Sequence, residues 1–228
     1  MYSTNRARFK MKNQNPIFKL YTHQHSANGR KVLAVSDHLK LAPEIIRVNI
    51  YQGEGQQPDY LKINPFGKIP TLVDGDFILW ESNAILLYLA DKWGNFQLSS
   101  QDPQRRSDIA RWLFWEAAHW QPAISAVLAP AVGHRLLPSL FPAPLEEPHW
   151  QQLEFKRWVS YLNSHLSRQA NLTGETLTLA DFSVAGMMTY FRFANFPFGD
   201  FPALSRWYEQ IEALDAWKRS ESDLWAVR

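Results

Sequence analysis

The period of the apolar residues changes once along this chain, near Gly94, and that change bounds what it can fold into. Before it, short β-forming runs alternate with segments of helical period; after it, helical period alone remains. Ile17 to Thr22 (IFKLYT) reads as a strand. Gly29 to Lys40 reads as a helix with Val32, Val35 and Leu39 on one stripe, which leaves Ser36 and Asp37 outside the stripe and free to face water. Glu44 to Ile50 is a second strand, and a short helical piece follows around Pro58 to Ile63. TLV and FILW, split by Asp74-Gly75-Asp76, form a hairpin pattern, and Ser82 then opens a helix ended near Gly94. The order β-α-β-α-β-β-α describes a mixed sheet covered by helices, a thioredoxin-like arrangement.

The second half shows no strand pattern. The segment from Asp102 reads as a long helix with Pro103 in its first turn and a kink at Pro122. Two further helical patterns follow, from Pro148 to Gln169 and from Phe201 to Leu214. Between the first two lies a proline-rich stretch from Ala129 to His149, which predicts a long loop at the wall of a site or an exposed insertion. Leu177 to Met188 carries a capping box, with Thr178 as N-cap, Asp181 as its N3 acid, and Leu177 and Phe182 as staple. These patterns divide the chain into a basic tail (1–15) expected to be disordered, a thioredoxin-like unit (16–94), a polar linker (95–102) and an all-helical unit (103–228).

Composition removes several function classes. A charged fraction of 20% and a net charge of +2 give no reason to expect a nucleic-acid partner. No run approaches the roughly 18 apolar residues of a membrane span, and no apolar core follows the basic tail, so a cytoplasmic protein is expected. Cysteine is absent, which excludes disulfides, thiolate metal ligands and a protein thiol nucleophile. Sulfur chemistry could then occur only on a ligand. His23 and His25 form an H-x-H pair without a carboxylate at ligand spacing, so no metal is expected.

The stretch NPFGKIPTLVDGDFILWES, Asn64 to Ser82, carries the most chemistry. Pro70 stands where a strand begins, a tolerated position; a cis bond there would turn the Ile69 backbone outward to pair with a ligand peptide, and a trans bond would make it an ordinary edge. Ser82 lies at a helix N-terminus, where free N–H groups and the helix dipole favour a carboxylate. Glu81 beside it suits a cation. Together they fit the zwitterionic head of an α-amino acid, although a serine there can also simply cap the helix.

The stretch NPFGKIPTLVDGDFILWESNAILLYLADKW resembles the glutathione-binding segment of cytosolic glutathione transferases, and the remaining pieces follow that family's order to the C-terminus. The resemblance implies a thioredoxin-like domain followed by an all-helical one, a homodimer, glutathione as co-substrate, and a detoxifying transfer to an apolar electrophile. It implies that Glu81 and Ser82 hold the γ-glutamyl head. Ile69, before Pro70, would pair with the cysteinyl backbone, and Lys68 would reach the glycyl carboxylate. SANGRKV is similar to the segment that serine-type and nu-class members place near the thiol, which nominates Ser26 first and Asn28 second; both residues can also cap the helix. The nu-class likeness implies a glutathione-dependent disulfide reductase as an alternative, and a non-catalytic binding protein is a third. Trp112, Trp115 and His119 share a helical face that could line the electrophile pocket or pack the core.

Overall fold

Strands β1 (Lys19–Thr22) and β3 (Thr71–Asp74) form the centre of a four-stranded sheet whose edges are β2 (Glu44–Arg47) and β4 (Phe77–Trp80), in the order β2-β1-β3-β4. This computed structural model describes residues 17–136 and 150–221. The basic tail expected at 1–15 lies outside the described residues. β2 runs parallel to β1, whereas β3 is antiparallel to both β1 and β4. The central strands bury Leu20 and Leu72 completely, and Asp74 to Phe77 closes the hairpin through Gly75 at a φ of 59°.

Helices α1 (Ala27–His38), α2 (Pro58–Leu61) and α3 (Ser82–Lys92) complete the first half. The second half contains α4 (Pro103–Trp115), a π-helical turn (Glu116–Trp120), α5 (Gln121–Leu136), α6 (Leu153–Leu166), α7 (Leu179–Met187), α8 (Pro202–Ala213) and α9 (Asp215–Arg219). Among its described residues the only strand-like pairing is one bridge, Asn171 with Gly174.

Two sequence expectations are corrected and a third is refined. Ser36 and Asp37 do not face water; they are 1% and 4% exposed. α1 packs against α3, α7 and α9, so a single apolar stripe does not mark its whole buried surface. The polar residues buried there are satisfied: Ser36 Oγ donates to the Val32 carbonyl at 2.8 Å, and Arg219 Nη2 meets Asp37 Oδ2 at 2.7 Å. Where a kink was expected at Pro122, the helix passes through a π-helical turn ending at Trp120, two residues before the proline, and continues into α5. The loop expected from Ala129 is helical as far as Leu136, because burial of Val127, Leu128 and Val132 outweighs the proline signal; its remainder, 137–149, lies outside the described residues.

α1 and α7 approach closely because Gly186 faces Lys31. A Cβ at Gly186 would lie 2.9 Å from Lys31 Cβ. α7 itself starts on the expected capping box of Thr178 and Asp181. Asp181 also accepts from the Leu172 amide at 2.9 Å and from Trp207 Nε1 at 3.0 Å, which ties three segments to one buried carboxylate.

Where the two halves meet, Lys31 Nζ donates to Glu116 Oε2 at 3.0 Å, and both side chains are fully buried. Lys31 also donates to Asn83 Oδ1 at 2.9 Å, and Asn83 Nδ2 donates to Glu116 Oε2 at 2.7 Å and to the Leu113 carbonyl at 2.8 Å. Ser183 Oγ donates to Asn83 Oδ1 at 2.7 Å. Burial pushes the Lys31 ammonium below its ordinary pKa, against the pull of Glu116. Removing one partner strands a buried charge, at a cost of about 3–5 kcal/mol. Lys31→Ala should therefore lower the urea midpoint sharply, and Lys31→Met with Glu116→Leu should cost less than either single change; equal or larger loss in the double variant would contradict the pairing.

Candidate functional site

A cleft of about 100 Å³ opens where one end of the sheet meets the helical half. One wall is the segment before β3. Lys68, Ile69 and Pro70 line it, and the Ile69–Pro70 bond is cis. That wall is braced from behind: Tyr60 Oη donates to the Lys68 carbonyl at 2.6 Å and Asn64 Nδ2 donates to it at 2.8 Å. Asn64 and Tyr60 also meet Thr71 Oγ1, both at 3.0 Å. The Ile69 amide and carbonyl have no partner among the described residues and adjoin the sheet end.

The floor is the start of α3. Glu81 holds a φ of 71°, the left-handed region that a non-glycine residue seldom adopts and that concentrates at ligand clamps. Glu81 is exposed and Ser82 buried, and no side chain caps the N–H groups of this helix. The opposite wall comes from the π-helical turn and the start of α5, through Glu116, Ala117 and Gln121.

Asn28, on the first turn of α1, reaches the same cleft, and Ser82 Oγ donates to Asn28 Oδ1 at 3.1 Å. Ser26 is the N-cap of α1; its Oγ accepts from the Gly29 amide at 3.0 Å, and it is not among the residues lining the cleft. Gly29 is required by close approach, since a Cβ there would lie 2.0 Å from Thr22 Oγ1. Tyr21 points from β1 toward Tyr60, with ring centroids 5.9 Å apart.

The chain matches the family described as "Glutathione S-transferase, N-terminal domain" over residues 16–91 and "Glutathione S-transferase, C-terminal domain" over 123–210. It is 31% identical to "Glutathione S-transferase F10" of Arabidopsis thaliana over 215 residues, covering 89% of this chain and 95% of that protein. It is 32% identical to "Glutathione S-transferase 3" of Zea mays over 209 residues, covering 89% and 92%. The chain belongs to the glutathione transferase family. A solved structure of the glutathione transferase URE2P6 from Phanerochaete chrysosporium, in complex with oxidized glutathione, is 30% identical with a TM-score of 0.78, over 90% of this chain and 94% of that one.

Within this transferase fold, Lys68, Ile69, Pro70, Glu81, Ser82 and Asn28 converge on one cleft, whereas Ser26 stands apart from its lining. Trp112, Trp115 and His119 are not among the residues lining this cleft. Trp112 is 3% exposed and packs its ring 5.3 Å from Trp115 and 4.9 Å from His165. Trp115 stacks on Trp120 and meets Trp158 edge-on, and His119 packs 5.3 Å from Trp158. The π-helical turn brings Glu116 and Ala117 to the cleft and leaves the Trp112, Trp115 and His119 rings against aromatic partners.

Sequence reasoning missed Asn64, Asn83 and Glu116. Glu116 carried a signal, being the only acid in the apolar run from Trp112 to Pro122. Asn83 follows Ser82 directly and went unremarked for lack of a partner in sequence.

His23 and His25 stack at 5.0 Å between centroids, with Tyr51 edge-on to both. Burial first, then the neighbouring His25 and Arg47, lower the His23 pKa from 6.5 to about 4. Between those values the unfolded chain holds a proton that the folded chain does not, so this residue's contribution to stability falls as pH drops from 6.5 toward 4 and levels off below. Asp181, raised by burial, contributes with the opposite sign, so the test is a difference. Urea midpoints of His23→Asn should decline less than those of the parent across that window; parallel curves would refute the assignment.

Proposed function

We propose that the protein binds glutathione in this cleft, stabilises its thiolate and delivers it to an electrophilic carbon of an apolar small molecule. The observation that carries this reading is the convergence of Lys68, Ile69, Glu81, Ser82 and Asn28 on one cleft. The free N–H groups starting α3 take the γ-glutamyl carboxylate, and Glu81 takes the ammonium beside it. The Ile69 backbone pairs with the cysteinyl unit as an added strand would, and the exposed Lys68 ammonium takes the glycyl carboxylate. Asn28 addresses the sulfur through its carboxamide; Ser26, whose oxygen accepts from the Gly29 amide and whose O–H proton is still available to donate, is the second candidate. The thiol proton leaves to solvent, the thiolate forms a carbon–sulfur bond, and the leaving group departs with its electron pair.

The solved relative in complex with oxidized glutathione supports a second reading, reduction of a disulfide. There the thiolate attacks one sulfur of a low-molecular-weight disulfide, the other sulfur leaves as thiolate, and a second glutathione resolves the mixed product to oxidized glutathione. Exposed Phe66, Phe77, Ile78 and Trp80 along one edge support a homodimer, and no described helix is long and apolar enough to cross a membrane. A cytoplasmic setting is consistent with a reduced co-substrate.

Calorimetry with reduced glutathione should give saturable heat, and absence of saturation at millimolar ligand would sink both readings. Lys68→Met should raise the glutathione KM about tenfold with kcat little changed, the signature of lost ground-state binding. Asn28→Ala should lower kcat with a chlorodinitrobenzene-type acceptor by about tenfold to a hundredfold, since a hydrogen bond to a charged group is worth ~1.5–3 kcal/mol. Ser26→Ala should lower it less; the reverse ranking would return the thiol to Ser26. Turnover of hydroxyethyl disulfide without arylation would select the second reading.

A further inference from the structure

We propose that the His23 imidazole is a positioning group for the thiol site: its Nδ1 folds the turn that delivers Ser26 and Asn28 to the start of α1. The inference rests on the glutathione reading and adds one residue to it. Residues 23–26 join β1 to α1. The Ser26 amide donates to the His23 carbonyl at 3.0 Å, which closes a four-residue turn on the N-cap of α1. Inside that turn the His25 amide donates to His23 Nδ1 at 3.2 Å.

A backbone N–H can only donate, so Nδ1 accepts, and the proton of the neutral ring sits on Nε2. Asparagine and aspartate side chains make the same bond to the amide two residues on, from an atom at the same distance along the side chain. His23 therefore folds the turn twice over, through its carbonyl and through its ring. The turn is also tied from outside: the Val48 amide donates to the Thr22 carbonyl at 2.9 Å, and Tyr190 Oη donates to the His25 carbonyl at 2.7 Å. Between those two tethers, the Nδ1 bond fixes the path of the chain from His23 to His25. Asn28 follows two residues after the N-cap, so that path sets where its carboxamide stands in the cleft.

The bond exists only while Nδ1 carries no proton. The ring stacks on His25 and has Tyr51, just after β2, edge-on to it, while Arg47 from the end of β2 and Glu54 act on it with opposite signs. Burial first, then His25 and Arg47, keep its pKa at about 4 against the pull of Glu54. The ring is thus neutral and accepting throughout the range in which a glutathione thiol ionises.

The experiment compares His23→Asn, whose Oδ1 stands where Nδ1 does, with His23→Gln, whose acceptor lies one carbon further out. The ligands are glutathione and S-methylglutathione, which has the same carboxylates and no thiol. The bound-thiol pKa is read from thiolate absorbance against pH, affinity by calorimetry and folding by urea midpoint. His23→Gln should raise the bound-thiol pKa by about one unit, a roughly tenfold loss of thiolate at fixed pH, and move the acid limb of kcat up with it. Its affinity for S-methylglutathione should stay near the parent's, because Lys68, Ile69, Glu81 and Ser82 lie on other segments. His23→Asn should leave both the thiol pKa and the acid limb at their parent values. Equal shifts in the two variants, or none in His23→Gln, would overturn the proposal. A folded His23→Asn variant with a raised thiol pKa would also overturn it, and decides the question even where His23→Gln does not fold. A parent that binds neither ligand defeats the glutathione reading and this inference with it, and is told apart because the failure precedes any substitution.

Discussion

Lys31 and Glu116 meet in the fully buried seam between the two halves, and the site is built outward from that contact. A buried ion pair gains little net stability over an apolar pair of the same volume, because desolvation offsets the attraction. Its effect is on geometry. A misregistered seam would leave two uncompensated charges, so the pair selects one placement of the helical half on the sheet half. The consequence reaches the cleft through Asn83, which bonds to both charged partners and is the second residue of α3. The helix start that faces the ligand and the π-helical turn opposite are therefore fixed by the same contact.

The same logic brings α1 to the cleft. Gly186 lets α7 lie against Lys31, and Gly29 lets the start of α1 lie against Thr22 at the end of β1. Asn28 immediately precedes these two close approaches, at Gly29 and Lys31, on a segment whose backbone has little room to move. A donor that must meet a developing charge is most effective when it needs no reorganisation, and this packing supplies that condition. Glu81 reaches the same end by strain: its left-handed backbone is held by an anchored helix after it and a hairpin strand before it.

What the sequence made legible were features encoded locally. The hairpin around Gly75, the helix starting at Ser82 and the Thr178–Asp181 capping box each depend on residues within a few positions, and each is found where expected. What it hid were features set by tertiary partners. Ser36 and Asp37 looked solvent-facing because the residues that satisfy or cover them, Arg219 among them, lie up to 182 positions away. The helix through Pro130 depends on burial that no local proline rule contains. Trp112, Trp115 and His119 do share a helical face, but their aromatic partners, His165, Trp120 and Trp158, come from elsewhere in the helical half and are invisible to period counting. Within the site, the surroundings of Ser26 and Asn28 could not be read from spacing, because Ser26 Oγ meets the Gly29 amide while Asn28 Oδ1 meets the Ser82 hydroxyl from 54 positions away.

A chain without cysteine must do any thiol chemistry on a ligand thiol, and simple magnitudes set what the proposed arrangement has to supply. A free thiol ionises near pH 8.5, so making it mostly thiolate near neutrality needs about two units, roughly 2.7 kcal/mol. One amide donor to the anion contributes ~1.5–3 kcal/mol, and the N-terminus of an adjacent helix adds ~0.3–1 kcal/mol. Asn28 on the first turn of α1 combines both in one position. No protonated base and no metal is required by that sum, which places the demand on orientation instead. Turning the amide over would exchange attraction for repulsion, so the direction in which Asn28 points its nitrogen matters as much as its presence.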